Sequence, residues 1–232
     1  MLNIRFGYRD NLIYKDKSLQ PKLIRHHKPN WYKQLKKRIT VPVQPFGFDI
    51  QTVKSCPSFV DMFNNGVVIY APTDIKLFYD VENKIEQFKL PYHHEHYKLE
   101  VHDDEQFINH LPKENKYKFI FKLVLPLAVF TDKGVSCYQY NYPYGFNNDF
   151  EVLFGQFATD KVHEVNLQLG YISDEKEITI AKGTPLAIYV PFKRSKVKLH
   201  LFDLDSNKKF KKKFETSWFK LNSKFNRYYG DL

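Results

Sequence analysis

Short apolar segments alternate with glycine and proline turns through the middle of the chain. The turn-forming sequences include 132–134, which reads Asp-Lys-Gly, and 143–145, which reads Pro-Tyr-Gly. Short segments rich in Val, Ile, Phe and Tyr that are bounded by such turns are typical of β-strands. We therefore predict strands over residues 67–70, 75–79, 118–129 and 135–142.

Residues 150–193 add three or four further short strands. This stretch ends in a Lys182-Gly183 turn, a strand over residues 185–190 and then Pro191. Short strands at regular spacing with turns between them favour a mainly β, antiparallel domain. We place this domain at residues 47–196.

The two ends of the chain have different patterns. Residues 1–46 have irregular apolar spacing interrupted by four prolines, which favours an extended arm over a long helix. Trp31 is predicted to anchor this arm and to lie at a partner interface. Within residues 197–232, apolar residues recur at spacings of three and four, which predicts a C-terminal amphipathic helix. The residues of this stripe are Phe210, Phe214, Trp218, Leu221 and Phe225.

Composition excludes several classes of protein. An aromatic content of 17% supplies enough large side chains for a core in a chain of 232 residues. No apolar run approaches the ~18 residues of a membrane span, so we expect no membrane partner. The first ten residues show no secretory signal pattern. Cys56 and Cys137 form no CxxC motif, and we expect buried free thiols in a reducing compartment.

The net charge of +10 is concentrated at the ends. Residues 1–38 hold 11 Lys and Arg against two acidic residues, and residues 193–232 hold 12 against four. Residues 39–192 hold 13 Lys against 20 acidic residues. Such ends fold back on the acidic body or dock on an acidic neighbouring subunit, or they contact nucleic acid. Both interpretations stay open, and the acidic body favours the first.

A histidine cluster at residues 93–96 is a candidate metal site. In an extended segment His94 and His96 point to the same side, and imidazole pairs of this kind bind metals. A third ligand is needed. Candidates for it are His102, Asp103, His110 and His163, and His102 is the one that we assign. The alternative is a polar surface loop that happens to be rich in histidine. Because no third ligand is assured, we expect no cofactor.

Asp160 follows a glycine-containing segment and is a candidate for binding a nucleotide or sugar. A carboxylate beside a tight turn can orient a water molecule or a sugar hydroxyl, and Gly155 lies just before it. The alternative is that Asp160 and Lys161 form an ordinary hairpin turn.

Tyrosines recur at every second position in the strand 135–142 and beyond it. Tyr138, Tyr140 and Tyr142 would share one face of a strand, and Tyr144 continues the spacing. Such a face is either a stacking platform for bases or sugars, or a partner interface. We favour the interface, and we add Phe214 and Trp218 to it.

No complete catalytic motif is present. The sequence contains no P-loop, GxGxxG, GxSxG or HExxH motif. Ser136 and Cys137 lack the context of an activated nucleophile. We therefore favour a protein that is not an enzyme.

Several fragments, in order, resemble an uncharacterised domain family of tailed bacteriophages and bacteria. The agreement in order and spacing covers residues 29–194. The family has no assigned activity, so the resemblance implies a phage or viral setting. The matching fragments are residues 29–32, 52–61, 66–74, 121–136 and 183–194.

The C-terminal half is also similar to the β-clip fold of trimeric dUTP pyrophosphatases. Gly155 with Asp160 matches one element of that family, and Gly183 with Ala187 matches the next. The chain departs from it at Ala158, where an acidic residue is expected, and no Tyr follows Asp160 in the uracil-reading position. The Ser-rich phosphate motif and the Gly-rich C-terminal arm are also missing. The similarity implies a β-clip-like or sandwich fold without the reaction.

We conclude from the sequence that the chain is a non-enzymatic phage or viral structural or accessory protein. Its basic ends are expected to dock on neighbouring subunits of a virion or assembly, in the virion or the host cytoplasm. Two alternatives remain: a β-clip nucleotide-binding or metal-dependent enzyme, and a nucleic-acid-binding protein that uses its basic termini.

Overall fold

Antiparallel strands make up most of the regular structure. The computed structural model describes residues 2–43, 46–80, 85–89, 97–112, 116–145 and 148–217. The strands are β1 (Ile4–Tyr8), β2 (Lys22–Leu23), β3 (Arg38–Val43), β4 (Phe46–Gln51), β5 (Val67–Tyr70), β6 (Ile75–Asp80), β7 (Ile85–Lys89), β8 (Lys98–His102), β9 (Phe119–Thr131), β10 (Val135–Asn141), β11 (Phe150–Val152), β12 (Gly155–Phe157), β13 (Glu164–Tyr171), β14 (Glu177–Ile180) and β15 (Pro185–Lys193).

The helices in the described ranges are short. They are α1 (Asn11–Lys15), α2 (Asn30–Gln34), α3 (Pro57–Met62) and α4 (residues 208–217), with 3-10 turns at Ile24–His26, Val53–Ser55, Asp104–Gln106 and Ile108–His110. The predicted mainly β, antiparallel class with a C-terminal helix is confirmed. For that helix the described part is α4, and Trp218, Leu221 and Phe225 lie outside the described residues.

Two five-stranded sheets pack on one core. The first has the order β1-β9-β13-β11, with β8 also paired to β9, and the second has the order β12-β10-β15-β5-β2. One buried cluster joins β9 and β13 of the first sheet to β10 and β15 of the second, for example Leu123, Leu167, Cys137 and Tyr189. This is the face-to-face packing of a sandwich. A third sheet, β14-β6-β7, adds Leu77 and other residues to the same core.

Residue contacts divide the chain into two units. One contains Met1–Pro29 and Asn65–Arg194, and it holds the three sheets. The other contains Asn30–Asn64 and Ser195–Leu232, and it holds the β3–β4 hairpin. The predicted division into an arm, a body and a tail stays a prediction, and its first boundary, at residue 46, falls where β4 of that hairpin begins.

The first residues of the chain belong to the sheet. β1 pairs with β9 from Ile4 opposite Thr131 to Tyr8 opposite Leu127, and Ile13 and Leu19 are buried. The predicted extended arm therefore contains an edge strand and part of the core. Its strand periodicity is short and was hidden by the irregular spacing that follows.

Two of the predicted turns contain a glycine with positive φ. Gly134 and Gly183 have φ of +81° and +82°, a left-handed conformation that other residues rarely adopt. Gly134 joins β9 to β10, and Gly183 joins β14 to β15.

Pro126 lies at a bulge in β9. β13 pairs Glu164 with Ala128 and Asn166 with Val124, so β9 carries two more residues than β13 in this interval. Proline has no backbone N–H and is tolerated within sheets at such irregularities. The bulge occurs in the long central strand that connects the two halves of the first sheet.

Candidate functional site

Four aromatic residues cluster on the outer side of the second sheet. Tyr138 and Tyr140 alternate with the buried Cys137 and Gln139 along β10, so they point away from the core. We call Tyr138, Tyr140, Phe154 and Phe192 the aromatic face.

Ring contacts hold the aromatic face together. The ring of Tyr138 stacks on Phe192, with centroids 4.0 Å apart and planes 13° apart. The ring of Phe154 lies 5.9 Å from Tyr138 and 5.2 Å from Tyr140. Phe154 is nevertheless 65% exposed. Contiguous exposed aromatic surface of this kind is enriched in protein interfaces.

A short edge strand lies beside the aromatic face. β12 is at the end of the second sheet and pairs with β10, which places Gln156 opposite Tyr138. Phe154 directly precedes this strand. No described strand pairs with the other edge of β12.

The C-terminal segment, residues 195–217, exposes large apolar side chains. Residues 194–203 form neither helix nor strand, and Val197 and Leu201 are 92% and 86% exposed. Helix α4 follows, and the side chain of Asn207 accepts a 3.4 Å hydrogen bond from the Phe210 N–H at its start. Phe214 on this helix is 67% exposed. The segment therefore presents apolar and basic groups together.

Asp160, the candidate nucleotide ligand, is engaged by the protein itself. Its carboxylate accepts two hydrogen bonds from the Arg194 guanidinium, at 2.7 and 2.5 Å, and one from the Gly134 N–H at 2.9 Å. Arg194 also donates to the Ser136 hydroxyl at 2.8 Å. These contacts, the Arg194 pair above all, lower the pKa of Asp160 well below its usual range. This arrangement fixes the end of β15 against the β9–β10 turn.

Gly155 lies in β12 and pairs with Gln139, away from any described contact with Asp160. A Cβ at Gly155 would lie 2.9 Å from the Phe157 ring, so glycine allows the ring to pack over the strand. A role for Gly155 and Asp160 in nucleotide binding stays a prediction.

The proposed metal ligands are only partly described. His94 and His96 lie outside the described residues. The Nδ1 of His102, in β8, lies 3.2 Å from the Gln106 amide oxygen. Within the described ranges no group of three or more potential metal ligands occurs. The metal site stays a prediction.

Two other predicted interface residues, Tyr142 and Trp31, have contacts of their own. β10 ends at Asn141, so Tyr142 leaves the alternation, and its hydroxyl donates a 2.6 Å hydrogen bond to the His27 carbonyl. Trp31, in α2, packs its ring 5.6 Å from Tyr32 and 6.4 Å from Phe63. It is an anchor within the second unit.

A small cleft opens near the end of β10. Its volume is about 240 Å³, below the ~300–1,000 Å³ of typical ligand pockets. The residues given by the structure for its wall include no carboxylate, imidazole or thiol, and their titratable groups are the phenols of Tyr142 and Tyr144. They are Asn141, Tyr142, Tyr144, Gly145, Phe150, Thr184 and Pro185.

Sequence reasoning missed Phe154 and Phe192. Phe192 meets Tyr138 because Ser136 pairs with Phe192 and Tyr138 with Val190 in the β10–β15 register. That register cannot be read from either strand alone. Arg194 was missed for the same reason, since its partner Asp160 is 34 residues away.

Comparisons with known proteins place little constraint on identity. No protein-family model matches the chain, and no curated protein matches it in sequence. A solved structure that resembles it is a variant of the dUTPase of Staphylococcus bacteriophage 80alpha, at 8% identity. The match covers 87% of this chain and 96% of that one, with a TM-score of 0.38. That score is too low to assign the fold details or the activity of that enzyme to this chain.

Proposed function

We propose that the chain is a non-enzymatic structural or accessory protein whose C-terminal segment docks on a protein subunit of a viral assembly. The observation that carries this proposal is that Val197, Leu199 and Leu201, at every second position of the segment, are all exposed. Exposed apolar side chains that lie together on a protein surface mark interaction sites.

The charge of the segment supports docking on an acidic protein surface. Residues 195–217 hold seven Lys against three acidic residues. Charge complementarity of this kind accelerates encounter and excludes wrong partners. The apolar side chains then provide the buried contact.

The hydrogen bonds and the pKa of Asp160 argue against a catalytic role for this carboxylate. The Arg194 guanidinium and the Gly134 N–H both donate hydrogen bonds to the Asp160 carboxylate. A carboxylate whose pKa is held low is a poor general base near neutral pH, since the proton affinity that drives transfer is small. The phage or viral setting comes from the resemblance of ordered fragments over residues 29–194, and location in the virion or host cytoplasm follows from that setting.

Particle incorporation tests the proposal. Virions produced with the wild-type gene are compared by quantitative mass spectrometry with virions produced with Val197→Asp, Leu199→Asp and Leu201→Asp combined. We expect the wild-type chain to copurify with particles and the triple variant to be depleted. Val162→Asp is the matched control, because Val162 is 54% exposed in a turn of the first unit. A wild-type chain that is absent from particles and elutes as a monodisperse monomer contradicts the proposal.

A further inference from the structure

The exposed part of the C-terminal segment has the pattern of a strand that is not paired. Val197, Leu199 and Leu201 alternate with Lys196, Lys198 and His200. In an extended chain this puts the apolar residues on one side and the basic residues on the other. In the described structure these residues belong to no sheet. An amphipathic strand gains stability only when it adds to a sheet.

The edges of the described sheets differ in how they are protected. β14, at the edge of the third sheet, carries Glu177 in an ion pair with Lys76 at 3.4 Å. Charged side chains on an edge strand oppose pairing with another chain. β12 consists of Gly155, Gln156 and Phe157 and carries no charge. It is therefore the better acceptor for an added strand.

The surroundings of β12 suit an apolar strand. Gln156 lies opposite Tyr138, so it shares the outer side of the sheet with the aromatic face. A strand added along β12 would place every second side chain beside Phe154 and Tyr138. Gly155 presents no side chain to an approaching backbone, and glycine in a strand often marks such an approach.

We propose that residues 197–202 of one copy add as a strand to β12 of a second copy, with Val197, Leu199 and Leu201 on its aromatic face. This inference rests on the proposed function and names the partner of the C-terminal segment. Lys196 and Lys198 reach solvent at the rim of the sheet, as long basic side chains do. Each contact joins the C-terminal segment of one copy to β12 of another. Two copies can exchange segments in a reciprocal dimer, or successive copies can form a ring or a filament.

Charge favours a second copy as the occupant. Residues 195–232, which contain the donor strand, hold ten Lys and Arg against four acidic residues, whereas residues 39–192, which include β12, hold 20 acidic residues against 13 Lys. Every copy therefore carries both a basic donor and an acidic body with an acceptor. Opposite charges on the two surfaces of an interface fix its orientation.

Complementation between two defective variants tests the inference. The donor variant carries Val197→Asp, Leu199→Asp and Leu201→Asp, and the acceptor variant carries Phe154→Asp. All four side chains are exposed, so both variants are expected to fold, which circular dichroism and thermal unfolding check. We expect wild type to associate in light scattering and each variant alone to weaken association by about tenfold or more.

Mixing the two variants restores one intact contact. The acceptor variant has a sound C-terminal segment and the donor variant has a sound aromatic face, so the mixture should form a 1:1 complex. Val162→Asp should associate as wild type does. A wild-type monomer, or variants that do not restore each other, overturns the inference. If association between copies fails in these ways but the donor variant is still depleted from particles, the proposed function stands and the C-terminal segment docks on a different protein.

Cross-linking tests the position of the contact. One population carries Gln156→Cys and the other carries one added cysteine at Val197, Leu199 or Leu201. All carry Cys56→Ser, and the remaining Cys137 is buried. Mild oxidation should join the two populations through at least one of the three donor positions, since neighbouring strands bring Cα atoms within disulfide range. Thr179→Cys on β14 is the matched control and should not cross-link. Absence of any Gln156→Cys cross-link, or equal cross-linking at Thr179, contradicts pairing at β12.

Discussion

The hydroxyl of Tyr189 donates a 2.9 Å hydrogen bond to the amide oxygen of Gln139 inside the core. The amide nitrogen of Gln139 donates in turn to the Leu153 carbonyl at 3.2 Å. Both side chains are fully or almost fully buried. This polar pair links adjacent strands β10 and β15 directly beneath the aromatic face.

Gln139→Leu should lower the free energy of unfolding by about 1–3 kcal/mol, because it leaves the Tyr189 hydroxyl buried without a partner. Adding Tyr189→Phe should recover part of that loss. Urea unfolding of the two single variants and the double variant measures the coupling. Additive losses would show that the hydrogen bond does not act as a pair.

Asp160→Asn should destabilise the protein at neutral pH, since it removes the charge that Arg194 and Gly134 bind. The folded-state pKa of Asp160 is lowered, so its contribution is present above the unfolded value of about 4 and is lost as pH falls through the folded value. The stability difference between wild type and variant should therefore be constant from pH 7 to about pH 5 and shrink in stronger acid. Thermal unfolding across this range checks it, and a difference that grows with acidity would contradict the assignment.

Tyr70→Phe should stabilise the protein by about 1 kcal/mol, because the Tyr70 hydroxyl is buried without a hydrogen-bond partner in the described structure. Burial raises the pKa of Tyr70 to about 12. Its neutral form is favoured in the folded state, so wild-type stability should fall as pH rises from about 10 to 12, and Tyr70→Phe should reduce that fall. Unfolding measured from pH 8 to pH 11 checks both effects.

Tyr142→Phe is the matched control for Tyr70. It removes the hydrogen bond to the His27 carbonyl, so it should lose about 1 kcal/mol where Tyr70→Phe gains. Equal effects of the two substitutions would contradict this contrast.

Gly170→Ala should destabilise the first sheet, because a Cβ at Gly170 would overlap the Tyr117 ring. Overpacking of this kind costs about 1–3 kcal/mol. In a Tyr117→Ala background the same substitution should cost much less, since the ring is gone. Denaturant unfolding of this double-mutant cycle measures the coupling, and an unchanged cost in both backgrounds would place the strain elsewhere.

Local patterns predicted the strands and turns well. The glycines at 134 and 183 mark turns because their positive φ is a local requirement, and β10 and β15 show up as short apolar runs. β1 was predicted as part of an extended arm, because its strand pattern covers only the five residues Ile4–Tyr8. Its assignment depends on pairing with β9, more than 100 residues later in the chain.

The candidate site was only half predictable. Tyr138 and Tyr140 alternate within one strand, so their shared face follows from sequence. Phe154 and Phe192 join them through strand pairing, which has no local signal. Asp160 was noticed for its carboxylate, yet its role depends on Arg194, and that partner is set by tertiary structure.

The bulge at Pro126 has a consequence for how the first sheet forms. A slip of one residue between β9 and β13 would exchange the core and solvent faces of both strands. The bulge at Pro126 interrupts the β9–β13 hydrogen-bond ladder at one place. In a shifted alignment the bulge would lie opposite a different β13 residue, whose backbone groups would then lack their hydrogen-bond partners. Misaligned pairings are thus penalised, so the bulge favours a single register between the long strand β9 and β13.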